Sequence, residues 1–282
     1  MFSAERYIVR YDFSDKFKLS GGRYHTPISY WNNAFHHGYW LQTTIGRPEV
    51  IKPQSYVVPL HFLGSLLEGN LGDSNFYYRA GFGNGRSEVI NDVNNFDNIY
   101  KRPAGLLGLI YRSTGRNRFE SGISAYFDKP SPVGRPVVDE VILNGYFVLQ
   151  SETPEIIVEY TYADHKSSQA HGNVNSVYGQ FAYRLAGGES NFKLYSRIEY
   201  LNVSGANPLL GTRHLDYDGI LAGVRWDFSS FAALKAEFRN EKFEKLDRQN
   251  SAWLQLALYF DASPSTQKFL TSLRELRKSN TQ

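Results

Sequence analysis

The 282-residue chain has no cysteine, a single methionine, and no apolar run near the roughly 18 residues of a membrane-spanning helix. Without cysteine, disulfides, thiol nucleophiles and thiolate metal sites are all excluded. Net charge is also scarce: 31 Lys and Arg against 28 Asp and Glu leave +3, so charge points to no nucleic-acid partner. The first residues, "MFSAERYIVRYDF", lack a basic stretch followed by an apolar core and do not read as a signal peptide. Residues 21–48 contain no carboxylate, although "GGRYHTPISYWNNAFHHGYWLQTTI" carries His36 and His37 side by side. Zinc wants three or four N, S or O ligands, and adjacent histidine side chains diverge, so no metal site is expected there.

Aromatics are abundant: 20 Tyr, 19 Phe and 4 Trp. They sit in segments that alternate apolar and polar residues, the period of a β-strand. In "ERYIVRYDF" Tyr7, Val9, Tyr11 and Phe13 share one side, with Arg6, Arg10 and Asp12 on the other. In "WLQLALYF" Leu254, Leu256, Leu258 and Phe260 oppose Gln255, Ala257 and Tyr259. About thirteen such segments follow one another, most of roughly 9–13 residues, longer than the usual globular strand and suited to crossing a bilayer at a tilt. Short polar turns such as "SDK", "SETP" and "AGGES" alternate with long connections such as 25–56 and 85–102. Phe13, Phe17, Tyr111, Phe119, Phe192, Trp226 and Phe228 lie near the short turns, and Tyr7, Phe127, Tyr162 and Tyr200 near the long loops. Two aromatic belts bounding an apolar band, with turns of unequal length at the two ends, describe an all-β, transmembrane, antiparallel up-and-down β-barrel. The short turns are then periplasmic, the long loops extracellular, and the location is the bacterial outer membrane.

Strand direction adds an expectation about the chain's extent. The first segment ends in a short turn, so it already runs inward; an outward strand should precede it in a barrel of even strand number. The sequence therefore reads as an N-terminally truncated barrel, 1–260, holding thirteen of fourteen strands. Its periplasmic tail, 261–282, carries Phe269, Leu270, Leu273 and Leu276 at helical spacing.

The order "GGRYHTPISYWNNAFHHGYWLQTTIGRPEV", "LEGNLGDSNFYYRAGFGNGRS" and a final "LQLALYF" resembles the Gram-negative outer-membrane porin family. It is similar to the group of phosphate-selective porins O and P. The matching positions are Gly22, Arg23, Thr26, Pro27, Tyr30, Trp31, Asn32, and Gly83, Asn84, Gly85, Arg86. The resemblance implies passive diffusion of small hydrophilic solutes through a water-filled lumen, without chemistry or cofactor. Its implied partners are the lipid bilayer, lipopolysaccharide and the barrel-assembly machinery, with a homo-trimer left open. Two departures stand out: the tail 261–282 follows the terminal aromatic Phe260, and no lysine-rich constriction is evident.

Site expectations follow from the polar faces. Arg79, Arg112, Arg184, Lys193, Arg197, Arg225, Lys235 and Arg239 fall on the lumen side with Glu159, Glu199, Glu237 and a few other acids. This modest positive excess predicts a weakly anion-preferring pore. Tyr30, Trp31, Asn32, Asn33, His36, His37 and Trp40 suit a plug or constriction loop, because aromatic bulk narrows a bore and amides satisfy a wet wall. His61 is placed on the lumen side of its strand. "GFGNGRS" lacks dinucleotide-loop spacing and reads as a strand-end turn. No nucleophile-elbow motif occurs, so no catalytic residue and no enzyme activity are expected. The alternatives are an outer-membrane barrel hydrolase with groups at the outer rim, or a non-conducting binding or structural barrel.

Overall fold

A computed structural model describes residues 6–35, 41–86, 103–114, 118–211 and 216–259. Thirteen strands follow chain order in one antiparallel meander: β1 (Tyr7–Ser14), β2 (Phe17–His25), β3 (His61–Asn70), β4 (Phe76–Asn84), β5 (Pro103–Arg112), β6 (Phe119–Asp128), β7 (Asp139–Leu149), β8 (Glu155–Lys166), β9 (His171–Arg184), β10 (Phe192–Gly205), β11 (Tyr217–Ser229), β12 (Ala232–Phe243) and β13 (Gln249–Leu258). Each strand pairs with its sequence neighbours, and among the described residues β1 and β13 pair on one side only. The single described α-helix, α1 (Tyr30–Phe35), and two 3₁₀ turns at Glu49–Ile51 and Pro53–Ser55 lie between β2 and β3. No described helix is long and apolar enough to cross a membrane, which is silent about strands. The tail 261–282 lies outside the described residues.

The alternation sorts side chains onto two surfaces. On β9 the buried Ser176, Tyr178 and Gln180 face the interior, while Val177, Phe181 and Tyr183 are exposed outward. On β13 the outward Leu254, Leu256 and Leu258 are 72%, 58% and 46% exposed. A continuous apolar outer surface of this kind would be a large liability in water and is the expected lipid face of a barrel. The buried polar residues, among them Arg197, Lys235 and Glu159, lie inside.

At the short-turn end, aromatic rings on the outer face touch along the sheet. Phe76–Tyr111, Tyr111–Phe119 and Phe119–Phe147 have centroids 5.1, 5.7 and 5.5 Å apart, and Phe192–Trp226 stacks at 5.8 Å. This girdle is the interfacial belt the sequence places there. The turn beneath it at Ala186–Gly188 is tight enough to set Gly187 at φ 65, a region a side chain disfavours.

Two differences from the sequence reading have local causes. The strand expected over 57–68 starts only at His61, because Pro59 offers no N–H to a ladder and residues 57–60 belong to the inserted segment. His61 pairs with His25 and shares parity with Leu63 and Leu67, not with the lumen residues Phe62, Leu66 and Glu68. The two imidazoles lie side by side, centroids 5.7 Å apart, and both are buried.

Candidate functional site

Residues 26–35 and 41–60 do not extend the sheet: Pro27, Pro48, Pro53 and Pro59 interrupt a ladder. Their backbone groups need partners elsewhere, and buried polar groups left unpaired are costly. The segment finds them on the inner wall of β8–β12. Glu159 accepts from the backbone N–H groups of Tyr30 (3.2 Å) and Trp31 (3.3 Å). Glu155 accepts from Thr43 Oγ1 at 3.0 Å, Glu237 from Ile45 N at 2.8 Å, and Glu199 from Glu49 N at 2.6 Å. The cations take the carbonyls. Lys235 Nζ donates to Gln42 O (2.7 Å) and Thr44 O (3.2 Å), and Arg225 to Gln42 O (3.0 Å). Arg197 donates to Thr44 Oγ1 (2.9 Å) and Arg47 O (3.2 Å), and Arg239 to Ile45 O.

Neighbouring acids on the same wall hold the three arginines and Lys193 in place. Arg197 pairs with Glu199 and Arg239 with Glu237, each at 2.6 Å; Arg225 pairs with Asp227 at 2.8 Å and Lys193 with Glu155 at 2.6 Å. Charges this buried persist only when paired and hydrogen-bonded. Within the segment, Trp31 is fully buried, with Phe35 at 4.9 Å and the Arg197 guanidinium 5.5 Å over its ring. Asn32 Nδ2 donates to Thr26 O and Leu60 O, and Asn33 Nδ2 to Ser29 O. Tyr30 OH accepts from Gln150 at 3.4 Å. Burial raises the Tyr30 hydroxyl above its ordinary range. Burial also raises Glu49, which the Lys52 ammonium at 2.5 Å only partly offsets. His36, His37 and Trp40, expected in the same loop, lie outside the described residues.

The remaining predicted lumen cations sit toward the short-turn end. Arg79 approaches Glu68 at 3.6 Å; Arg112 pairs with Glu120 at 2.9 Å and lies over the Tyr77 ring at 4.8 Å. Arg184 bridges Glu152 (2.7 Å) and Asp227 (3.0 Å).

Two histidine–carboxylate groups stand at the opposite, long-loop end, and sequence reasoning missed both. The first is buried. Arg86 forks onto Glu140 with Nε and Nη2 both at 2.9 Å, while its backbone N–H reaches Asp128 at 2.7 Å. His165 lies 3.0 Å from Glu140 and 3.0 Å from Asn207 Oδ1, so both ring nitrogens are engaged. A Cβ on Gly85 would fall 2.1 Å from the Asp128 carboxylate, which explains glycine in "GNGR". Burial disfavours the Arg86 guanidinium, but Glu140 beside it holds it above its ordinary value. The second group is exposed: His171 Nε2 lies 2.7 Å from Asp164 Oδ1 on the outer face of β8–β9. A histidine at a strand start with an acid near the preceding strand's end was the only available signal.

No protein-family model matches the chain, and no curated protein sequence matches it either. Solved structures do. The outer-membrane-expressed OmpT of Vibrio cholerae is 17% identical, with a TM-score of 0.60, over 91% of this chain and 81% of that one. In-vitro folded OmpT of the same organism is 17% identical over 86% and 76%, TM-score 0.57. A trimer form of OmpT is 17% identical over 88% and 78%, TM-score 0.55. These neighbours carry the outer-membrane barrel and do not confirm the grouping with phosphate-selective porins.

The expectation of a passive, weakly anion-preferring porin without enzyme activity is corrected on both counts. Its premise was a freely wetted wall with unspent cations. On β8–β12 that wall is instead bonded to residues 42–47, and Arg197, Arg225, Lys235 and Arg239 are committed to carbonyls and acids. The expectation of no enzyme activity rested on the absence of a nucleophile-elbow motif, which does not bear on a histidine–carboxylate pair such as His171 and Asp164, 2.7 Å apart. The structures the fold matches, at 17% identity, are described as OmpT, an outer membrane protein of Vibrio cholerae, and bear on the fold. What fold, lipid-facing surface and structural likeness establish together is that the chain is an antiparallel β-barrel of the bacterial outer membrane.

Proposed function

We propose that this chain is a non-conducting binding or structural barrel, filled inside by residues 26–35 and 41–60. The observation that carries this reading is the number of charged wall groups bonded to one segment: Glu159, Glu155, Glu237 and Glu199 to its donors, and Lys235, Arg225, Arg197 and Arg239 to its acceptors. Reconstitution into a planar bilayer tests it. The expected result is no stable ohmic conductance at moderate voltage; steady channels with salt-proportional current overturn it.

A second reading, an outer-membrane barrel hydrolase, rests on the exposed His171–Asp164 pair. A carboxylate against one ring nitrogen orients an imidazole and leaves the other nitrogen placed to meet water. Ester and peptide substrates presented in micelles are the probe. Turnover that falls about 10²–10⁴-fold in His171→Gln supports general-base work; turnover that His171→Gln leaves untouched, or none at all, removes it. Folding by the barrel-assembly machinery and association into a homo-trimer belong to the first reading, the latter supported by the trimer form of OmpT.

A further inference from the structure

One buried carboxylate, Glu140 on β7, serves two connections at once. On one side Arg86, which follows β4, forks onto it with Nε and Nη2 at 2.9 Å. The same guanidinium donates to Val57 O at 2.7 Å, near the end of the inserted segment. On the other side His165 on β8 lies 3.0 Å from Glu140 Oε1 and 3.0 Å from Asn207 Oδ1. Asn207 belongs to the connection between β10 and β11. Its Oδ1 also accepts from the N–H groups of Leu209 (3.1 Å) and Leu210 (3.0 Å), so one amide both shapes the turn and anchors it. Arg86, His165 and Asn207 are buried with Glu140.

Residues 206–211 form a short strap. Glycines stand at its two ends, Gly205 at φ 73 and Gly211 at φ 65, where a side chain is disfavoured. Gly211 N closes the turn by donating to Asn207 O at 2.9 Å. The strap folds inward. Gly172 shares the inner side of β9 with the buried Val174 and Ser176, and a Cβ on it would fall 2.7 Å from Asn207 Cα. Leu209 and Leu210 are buried, and Leu210 joins one apolar cluster with Val50, Ile51, Val57 and Val58 of the inserted segment.

We propose that residues 206–211 are a strap at the outer mouth of the bore, and that Glu140 is a clamp shared by this strap and the inserted segment. His165 holds the strap, Arg86 holds the segment, and Glu140 holds both. Removing Glu140 leaves a buried guanidinium and a buried imidazole without their common acceptor, which costs more than one contact. Removing His165 leaves Glu140 paired with Arg86, so the segment keeps its anchor. Two closures that meet on one group are released together only through that group. The clamp rests on the filled-barrel reading, but its readout is exchange and labelling, not conductance. Steady channels alone would sink that reading, and unmoved exchange alone would sink the clamp.

The test uses the full chain in micelles and follows hydrogen exchange at Leu209, Leu210 and Gly211 in the strap and at Ser55 and Val57 in the segment, all of which donate backbone hydrogen bonds. His165→Leu should accelerate exchange in the strap about tenfold or more and leave the segment unchanged; Glu140→Gln should accelerate both by that factor while β9 and β10 stay protected. The chain has no cysteine, so Leu210→Cys gives a unique label. Its reaction with a maleimide should quicken by the same factor when either variant is added. Heat-modifiable gel mobility and strand circular dichroism report folding. A variant that does not fold is replaced by His165→Gln or by Glu140→Asp, whose arm is one methylene shorter. Equal protection of the strap in wild type and the His165 variant, acceleration at only one of the two sites in the Glu140 variant, or opening of the strap only together with β9 and β10 overturns the proposal.

Discussion

At the scale of single residues, several interior charges are paired twice, once to the wall and once to the inserted segment. Arg197 is an example: Glu199 neutralises it, Thr44 and Arg47 use its donors, and Trp31 covers it. Removing one member leaves the others buried and unpaired, which costs more than the lost contact. Arg197→Ala should therefore destabilise the barrel by about 3–5 kcal/mol, the range for breaking a buried pair, measured as the shift in urea unfolding midpoint. Trp31→Ala should cost a similar ~3–5 kcal/mol through the cavity it leaves. Glu49 behaves in the opposite sense. Burial raises its folded pKa above the unfolded value, so the protonated form favours the folded state. That contribution is fully present below the unfolded pKa and is lost as pH rises through the folded one. Glu49→Gln should stabilise the protein at pH 7 relative to wild type, the difference shrinking toward pH 4; unfolding midpoints across that window decide it.

At the scale of elements, the strands follow from local chemistry and the inserted segment does not. Alternation, turn composition and aromatic position along the chain predict the meander almost strand by strand, because each strand's two faces are decided by its own residues. The prolines and amides of 26–60 likewise mark a loop that can fill a bore. The partners were not legible: Tyr30 meets Glu159 across 129 positions and Ile45 meets Glu237 across 192. Periodicity carries no information about which wall faces which loop. The same limit hid His165–Glu140–Arg86, which joins three separate stretches. The element-level prediction concerns residues 42–47. Arg225→Ala with Arg239→Ala removes donors to Gln42 and Ile45, so hydrogen exchange at 42–47 should accelerate at least tenfold while β9 and β10 stay protected. Equal acceleration in those strands would mean that the segment does not open by itself.

At the scale of the whole molecule, one solvent lies outside the sheet and another inside, and the two surfaces should respond differently to the same chemistry. Leu256 lies on the outer face of β13, flanked by Leu254 and Leu258. A charge there enters hydrocarbon. Leu256→Arg should cost about 2–4 kcal/mol if the position is at the bilayer midplane, less if it lies nearer an interface. Gln255, one residue away, faces inward opposite Lys235. Gln255→Glu adds a charge of equal magnitude beside a buried ammonium and should be tolerated. Reversible folding into lipid vesicles, with urea as denaturant, gives both values on one scale. A water-facing outer surface would make Leu256→Arg nearly neutral and the two variants alike. The bilayer reading requires them to differ by well over the error of the extrapolation, because only Leu256 has no water to retain.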